Sequence, residues 1–156
     1  MRNIILFTWQ LPQTLLGYFL IFFYKFILGR KIDSFYYYET TVYFIEDFPS
    51  KNNISGVALG KVIILDYNRF FQKENSLITI KHEYGHVLQG YYFGPLYLIL
   101  IGIPSIVQNI LSMFKSMDYR RRYYDRYPEN WADELGGVTV EERTNLGWIV
   151  TSRNKN

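Results

Sequence analysis

The chain contains no cysteine, so it carries no disulfide, no thiolate metal ligand and no cysteine nucleophile. It has only two histidines among 156 residues, which confines histidine chemistry to a single site. Internal repeats and low-complexity stretches are also missing from the sequence. At this length the chain forms one domain with a real core, and there is no room for a separate substrate domain of ordinary size.

The charge balance does not point to nucleic acid. The net charge is +3, and residues 119–126 contain four arginines interleaved with three tyrosines, a composition that can contact phosphates and bases. None of the recognised nucleic-acid-binding motifs is present, however, and the basic cluster follows an apolar segment. We therefore expect no nucleic-acid partner, and anionic lipid headgroups suit the cluster better.

Both histidines lie in one short motif, His82-Glu83-Tyr84-Gly85-His86, which is an HExxH sequence. On a helix, residues four apart project from the same face, so the two imidazoles can converge on one zinc ion. Glu83 would then reach a water bound to that ion. The alternative is that these three residues are ordinary polar positions on a surface helix.

The surroundings of the motif favour a buried helix over residues 75–92. This stretch has no proline, and its apolar residues spread around much of the helical wheel. Asn75 or Ser76 suits the N-cap, and Gly94 with Pro95 forms a stop signal. Two histidines and a carboxylate inside a buried helix need partners, which a metal ion would supply.

A catalytic zinc usually takes three protein ligands, so one ligand is still missing. The chain has no third histidine and no cysteine, and the missing ligand must be a carboxylate. The extended metzincin pattern HExxHxxGxxH is excluded, because positions 89 and 92 are Gln89 and Tyr92.

The best carboxylate candidates lie on a short helix predicted within residues 127–137. Pro128 suits its first position, and Gly136 or Gly137 suits its end. Glu129 and Asp133 are then one turn apart on one face, where Glu129 could bind the metal and Asp133 could orient a histidine. The alternative is an acidic surface helix with solvated charges. If Glu129 is not the ligand, Asp133, Glu134 or Asp125 would take its place.

HExxH on one helix followed by ExxxD on a later helix resembles the gluzincin class of zinc metallopeptidases, the thermolysin-like group, and particularly its small single-domain members. The resemblance covers mainly residues 75–137. It implies Zn²⁺ ligands at His82, His86 and Glu129, a general base at Glu83, and a partner for the first histidine at Asp133. The activity it implies is hydrolysis of a peptide or protein substrate without a covalent intermediate.

The sequence departs from the gluzincin pattern in three ways. The gap between the second histidine and Glu129 is longer, and an apolar segment fills it. Pro128 stands where an asparagine often precedes the glutamate. No histidine remains to stabilise the oxyanion, so a tyrosine or an arginine would have to do so. The nearest candidates, among which the sequence does not choose, are Tyr127, Tyr124, Tyr123 and Arg126.

The predicted fold class is α+β, with a small antiparallel sheet or hairpin packed on the active-site helix and the short glutamate helix. Residues 35–47 and 54–67 are rich in β-branched and aromatic residues and are joined by a polar turn at 49–53, which predicts two strands. Gly56 and Gly60 would mark bulges or close backbone approaches. By resemblance, the strand over 56–66 would pair with the substrate backbone; a plain core hairpin is the alternative.

Two apolar segments raise the question of a membrane. Residues 4–28 are long enough for a span of ~20 residues, so we predict an apolar, membrane-associated N-terminal helix within residues 1–31 and a catalytic domain over 32–156. Residues 94–114 cannot form a simple span, because Glu129 would then lie across the bilayer from His82 and His86. They must form a hairpin, an interfacial helix or part of the core, and Gly102 with Pro104 favours a break.

Basic residues follow both apolar segments, at Arg30 and Lys31 and over 120–126. The positive-inside rule then predicts a membrane-associated protein whose catalytic part faces the cytoplasm, with membrane lipids as partners. Two functions remain open: a zinc peptidase, or a non-catalytic module that binds zinc or a membrane partner. Glu83 favours the enzyme, because a structural zinc site does not use a carboxylate beside an open coordination position. Nothing in the sequence indicates an oligomeric state.

Overall fold

The computed structural model describes residues 8–48, 56–72, 76–116, 119 and 122–145. The helices, in chain order, are α1 (Leu11–Phe22), α2 (Tyr67–Gln72), α3 (Ser76–Phe93), α4 (Ile103–Phe114), α5 (Glu129–Gly136) and α6 (Val140–Asn145). The strands are β1 (Ile32–Tyr37), β2 (Thr40–Ile45), β3 (Gly56–Leu59) and β4 (Val62–Asp66). Short π-helical stretches at Phe23–Ile27 and Leu98–Gly102 and 3₁₀ turns at Gly94–Leu96 and Tyr123–Asp125 extend the helical part.

The sheet is mixed, with strand order β1-β2-β4-β3. Strands β1 and β2 form an antiparallel hairpin, β3 and β4 form a second one, and β2 and β4 run parallel in the centre. The prediction of an α+β fold built on a small antiparallel sheet or hairpin is therefore wrong, since the described chain is mostly helical and its sheet is mixed. The parallel pair arises because the chain crosses to the far edge to form β3 before β4 returns beside β2.

Each of the two predicted strands is in fact a hairpin. The residue pair Tyr37 and Thr40 closes a two-residue turn in which Tyr38 has a φ of 51°. Leu59 and Val62 close a second such turn, where Gly60 has a φ of 61°. The positive φ suits glycine, and a Cβ at Gly60 would also collide with Thr14 of α1. The predicted connecting turn at 49–53 lies outside the described residues.

Helices cover both faces of the sheet. Helix α3 packs on one face, and α1 with the π-helical stretch after it packs on the other. All five residues of β4 are consequently buried, which explains its continuous apolar run. The first core contains Val42, Phe44, Ala58, Ile63, Leu65, Ile80 and Val87, and the second contains Ile45, Phe48, Val62 and Ile64.

The N-terminal helix differs from the prediction. Helix α1 begins at Leu11 with Pro12 in its first turn, and residues 1–7 lie outside the described part. Within the part of the chain that the structure describes, no helix combines the length and the apolar character needed to cross a membrane. The expectation that residues 4–28 form an apolar span is therefore wrong: the polar residues Gln13 and Thr14 are buried against the protein rather than tolerated within a span.

The second apolar segment is helical throughout. After the 3₁₀ turn at Gly94–Leu96, the chain continues through the π-helical stretch into α4. Gly102 has φ and ψ of −60° and −50°, so the backbone stays helical there, and Pro104 falls in the first turn of α4. The break predicted at these two residues, and the hairpin that would follow from it, are therefore not formed.

Helices α3 and α5 approach each other unusually closely because small residues meet at their contact. A Cβ at Gly85 of α3 would collide with the Ala132 carbonyl of α5. A Cβ at Gly136 would likewise collide with the Lys81 carbonyl of α3. This close contact brings the polar face of each helix within reach of the other.

Candidate metal centre

Helix α3 positions the HExxH motif at the centre of the protein. Its bounds, Ser76–Phe93, agree closely with the predicted helix over 75–92; Asn75, one of the two predicted N-caps, lies outside the described residues. His82, Glu83 and His86 are all buried, with 5%, 6% and 6% of their surface exposed. Buried polar groups of this kind need partners, and α5 supplies most of them.

Helix α5 lies within the predicted range, but it begins one residue later than expected. Pro128 is its N-cap residue and not its first residue, and Gly137 ends it in a left-handed conformation with a φ of 73°. Glu129 and Asp133 are both buried on the face that meets α3. The alternative of a solvated acidic helix therefore does not apply to these two carboxylates.

The two histidines and Glu129 converge on one point. Glu129 Oε2 lies 3.0 Å from Nε2 of His82 and 3.3 Å from Nε2 of His86. One ligand atom from each residue can be chosen so that all three lie within 4.8 Å of one another. This buried group could hold a metal ion, as the sequence predicts.

Hydrogen bonds to the Nδ1 atoms of both histidines determine that their Nε2 atoms face Glu129. Nδ1 of His82 lies 2.7 Å from the Asp133 carboxylate, which can only accept a hydrogen bond. Nδ1 of His86 lies 2.7 Å from Oε1 of Gln89, whose amide nitrogen donates to the Pro128 carbonyl at 3.0 Å. Both Nδ1 atoms therefore donate, and in the neutral rings both Nε2 lone pairs face Glu129.

When both rings are neutral, these three groups are all acceptors, so a proton or a metal ion must lie between them. Two imidazole nitrogens and one carboxylate oxygen are suitable ligands for a divalent transition metal. The donor set, its burial and its oriented rings all fit a metal ion at this point.

The pKa values of His82 and Glu129 also indicate that a positive charge is favoured between them. Burial lowers the pKa of His82, but hydrogen bonds to Asp133 and Glu129 outweigh burial and raise that pKa to about 9. Burial raises the pKa of Glu129, but the two histidines outweigh it and hold that pKa well below its usual value. A metal ion must displace the proton that such a histidine holds, so metal binding is coupled to proton release.

Helix α6 supplies the arginine that holds Asp133 in place. Thr139 and Glu142 form a capping box at its start, with the Thr139 N–H donating to Glu142 and the Glu142 N–H donating to Thr139 at 2.8 and 3.1 Å. Arg143 then donates two hydrogen bonds to Asp133, at 2.9 and 2.5 Å. Burial raises the pKa of Asp133, but His82 and Arg143 outweigh it and lower that pKa.

Helix α4 holds the other oxygen of Glu129. The Ser105 hydroxyl donates to Glu129 Oε1 at 2.5 Å, while Oε2 faces the histidines. Tyr123 lies beside both groups, and its pKa is raised well above the usual value by burial and by the charge of Glu129. The carboxylate is thus held from two sides and presents one oxygen to the histidines.

Glu83 lies beside the cluster but points towards the sheet. A Cβ at Gly56, the first residue of β3, would lie 2.9 Å from Oε1 of Glu83, so a side chain there would crowd the carboxylate. Burial raises the pKa of Glu83, although the charges of His82 and His86 oppose this effect. The structure therefore places a buried carboxylate between the edge strand and the histidine rings.

A cavity of about 670 Å³ opens from the cluster. Its polar floor contains His82, Glu83, His86, Glu129 and Arg143, and strand β3 forms one wall. The remaining walls are mostly apolar and come from α1 and from the helical stretch that ends in α4; they include Leu16, Leu20, Leu98, Ile99, Ile103, Ile106 and Ile110.

The candidate oxyanion stabilisers are placed differently. Tyr123 and Tyr124 line the cavity, and the ring of Tyr124 stands edge-on to His82 with centroids 5.1 Å apart. Tyr127 instead donates its hydroxyl to the Leu100 carbonyl at 2.8 Å. Arg126 lies over the ring of Tyr119 and donates to the Tyr119 carbonyl at 3.0 Å. Only the first two tyrosines therefore face the space in which a substrate would lie.

Sequence reasoning missed three residues that shape the site: Gln89, Ser105 and Arg143. Gln89 is three residues after His86, a spacing that places both on one helix face. The Thr-x-x-Glu pattern at 139–142 marks the start of α6 and so locates Arg143. For Ser105 no signal was available, because its role depends on how α4 packs against α5.

No protein-family profile, curated protein or solved structure matches this chain.

Proposed function

We propose that this chain is a zinc-dependent peptidase that resembles the gluzincins, with Glu83 as its general base. The observation that carries the proposal is the convergence of His82, His86 and Glu129 in a cavity whose wall also contains a buried, unliganded carboxylate. A structural metal site is closed by protein ligands, whereas three ligands beside a cavity leave a position for water or substrate.

Zinc is the metal that this donor set suits best. Two histidines and one glutamate are a known ligand set of catalytic zinc in peptidases. The orientation of both rings by Asp133 and Gln89 fits such a site, because zinc-bound histidines almost always donate their other nitrogen to a carboxylate or carbonyl group.

Zinc bound here would polarise a substrate carbonyl and lower the pKa of a water towards ~7. Glu83 takes the proton of the attacking water and delivers it to the leaving amine. Its position suits this role, because the buried carboxylate lies between strand β3 and the histidine rings and lines the cavity. Tyr123 and Tyr124 line the cavity, and a phenol hydroxyl from one of them would stabilise the carbonyl oxygen as its charge develops.

Strand β3 supports a peptide substrate in particular. It is the last strand on its side of the described sheet, and all four of its residues line the cavity. An extended peptide could add to this edge through backbone hydrogen bonds, which would lay its chain across Glu83. Helix α1 does not cover this side of the strand completely, since the cavity lies between them.

The first test is the metal content of the purified full chain, measured by elemental mass spectrometry after zinc supplementation. We expect near-stoichiometric zinc in the wild type and in Glu134→Ala, and a strong loss in Glu129→Ala. The two variants remove the same group from the same helix, but Glu134 is exposed while Glu129 is 1% exposed. A folded wild-type protein without zinc would overturn the proposal.

The second test is hydrolysis of a quenched fluorescent peptide library. Glu83→Gln should retain zinc and lose turnover, because the amide cannot accept the proton. Glu141→Gln, an exposed position on α6, serves as the control and should remain active. If zinc-loaded Glu83→Gln still hydrolyses the peptides, Glu83 is not the general base. Zinc binding without any hydrolysis in the wild type would favour the non-catalytic zinc-binding module.

A further inference from the structure

Two helices of this protein have their polar and apolar faces reversed. In α4, the polar residues face the protein: Ser105 contacts Glu129, Gln108 donates to the Tyr127 carbonyl, and Ser112 is buried. The outward positions of α4 are large and apolar, and all are at least one third exposed: Ile103, Ile106, Val107, Ile110, Leu111 and Phe114. A helix that faces water normally shows the opposite arrangement.

Helix α1 is reversed in the same way. Gln10 donates to the Val87 carbonyl at 3.2 Å and Gln13 donates to the Gly94 carbonyl at 3.0 Å, and both side chains are fully buried. Thr14 accepts a hydrogen bond from the Lys61 N–H at 3.3 Å. The outward residues of α1 and of the π-helical stretch after it are apolar, namely Leu15, Leu16, Tyr18, Phe19, Phe22, Phe23, Phe26 and Ile27.

These two outward faces border the same cavity. Leu16 and Ile106 line the cavity wall and are 40% and 60% exposed, and Ile99, Ile103 and Ile110 are also both exposed and part of the lining. Their neighbours Phe19 and Val107 are exposed without lining the cavity. The mouth of the cavity is therefore continuous with both apolar faces.

The flanking charges indicate what covers these faces. Helix α4 contains no charged residue, and Lys25 is the single charge between Leu11 and Ile27. Basic residues follow each apolar face directly: Lys31 and Lys115, and Arg30, which also pairs with Asp47 at 2.8 Å. Apolar faces next to basic residues suit acyl chains beneath anionic headgroups, because the charges can contact phosphate while the apolar side chains leave water.

We propose that the outward faces of α1 and α4 contact the acyl chains of a lipid bilayer, and that the cavity between them admits an apolar segment of a membrane-borne polypeptide. The proposed lipid contact depends only on the exposed apolar faces of α1 and α4 and the basic residues that follow them. The choice of substrate rests on the proposed peptidase function. Apolar cavity walls exclude a charged segment, since a charge placed against them would lose its hydration without gaining a partner.

The absence of cysteine allows a direct test of the lipid contact. A nitroxide is attached to the full chain at Phe19→Cys or Ile106→Cys. The matched controls are Tyr36→Cys on β1, where the side chain is 84% exposed, and Leu77→Cys, one turn before Lys81 and its ion pair with Glu142. Relaxation by oxygen and by a neutral nickel chelate is measured with and without vesicles of phosphatidylcholine and phosphatidylglycerol.

With vesicles, the nitroxides at 19 and 106 should lose relaxation by the nickel chelate and gain relaxation by oxygen, because oxygen concentrates among acyl chains. The controls at 36 and 77 should remain accessible to the chelate. Unchanged chelate access at 19 and 106 would overturn the lipid contact. Protection that occurs without vesicles, together with a doubled mass by light scattering, would overturn it in favour of a second copy of the chain.

The substrate is tested with two quenched peptides added to the zinc-loaded protein on vesicles. One carries an apolar segment that inserts into the bilayer, and the other carries a polar, freely soluble segment. We expect a higher kcat/KM for the inserted peptide, and a loss of that preference in Ile106→Asn at unchanged zinc content. Equal hydrolysis of both peptides would overturn the substrate assignment and leave the peptidase proposal intact. Hydrolysis of neither would overturn the peptidase proposal and, with it, the substrate assignment, whereas the nitroxide result stands independently of both.

Discussion

Helices α3 and α4 both border the cavity, but they differ in what surrounds them. Helix α3 is enclosed by the sheet and α5, and it buries polar residues as well as apolar ones: His82, Glu83, His86 and Gln89 are all within the protein. Helix α4 is in contact with the protein only through its polar face, and its apolar face is exposed. The described chain therefore covers α3 with its own residues, whereas it leaves the apolar face of α4 uncovered.

This difference indicates how sensitive each helix should be to substitution. Around α3, a single change can leave a buried polar group without its partner or open a cavity, and both are costly. On the outer face of α4, the same change alters a surface that no other part of the described chain contacts closely. Metal removal and matched substitutions should therefore affect the two helices to different degrees.

Metal removal should affect α3 and α5 far more than α4. A ligand that binds only the folded state stabilises it by about 4 kcal/mol when its free concentration exceeds the dissociation constant about 1,000-fold. Chelation of zinc should remove that stabilisation in the wild type and have no effect in Glu129→Ala. Hydrogen exchange should show the loss at the amides of α3 and α5, where the ligands lie. If the amides of α4 lose as much protection from hydrogen exchange as those of α3 and α5, the proposed difference between the helices is wrong.

Glycine-to-alanine substitutions should have opposite effects in α3 and just before α4. At Gly85 of α3 the new Cβ collides with the Ala132 carbonyl, and overpacking of this kind costs about 3 kcal/mol. At Gly102, the residue before α4, the nearest atoms are 3.9 Å away and the backbone is helical, so alanine should stabilise by about 0.5 kcal/mol. Urea denaturation of both variants measures the difference. A stable Gly85→Ala protein would mean that α3 and α5 can separate without cost.

Two glutamines allow a matched comparison of metal affinity. Gln89 of α3 and Gln108 of α4 donate to neighbouring carbonyls, those of Pro128 and Tyr127, but only Gln89 also accepts from His86. Loss of a group that orients a ligand typically costs 10- to 100-fold in affinity, roughly, so Gln89→Ala should bind zinc that much more weakly. Gln108→Ala should lose less than about threefold.

A competition titration with a chromophoric chelator measures both dissociation constants. If the two variants lose equal affinity, the hydrogen bond to His86 has no special role, and both glutamines act only by holding the start of α5.

The smallest effect is expected on the outer face of α4. Ile106→Gln should change the free energy of unfolding in detergent-free and lipid-free solution by no more than about 0.5 kcal/mol, because the side chain is exposed to water there. Ile80→Ala in α3 provides the contrast, since that side chain is 4% exposed and its truncation should cost about 3 kcal/mol. Similar costs for the two variants would show that α4 is as enclosed as α3.

The local features of the site could be predicted from the sequence because they depend on short-range periodicity. The bounds of α3 and α5 follow from the absence of proline, the stop at Gly94 and Pro95, and the two glycines at the end of α5. The spacing of four residues then places His82 and His86, and Glu129 and Asp133, on single helix faces. A catalytic zinc needs three protein ligands, so we could expect Glu129 to join the two histidines. The distance between the two helices could not be predicted from the sequence.

The sheet could not be predicted in the same way, because hairpin turns and strand order are not periodic. Tyr38 and Glu39 have none of the glycine or asparagine that usually marks a two-residue turn, so residues 35–47 read as one strand. The parallel pairing of β2 with β4 depends on tertiary packing over both faces of the sheet. The reversed faces of α1 and α4 were also missed, because an apolar run has the same sequence whether its polar residues point inward or outward.

The close contact between α3 and α5 also defines a sequence signature. The ligands sit correctly only because Gly85, Ala132 and Gly136 leave no side chain between the two backbones. These small residues lie at fixed positions relative to the ligands, which gives the paired pattern H-E-x-G-H and E-x-x-A-D-x-x-G. A pattern that specifies both the ligands and the spacing of the helices is more selective than HExxH alone. It can identify the same centre in chains whose remaining sequence has diverged beyond alignment.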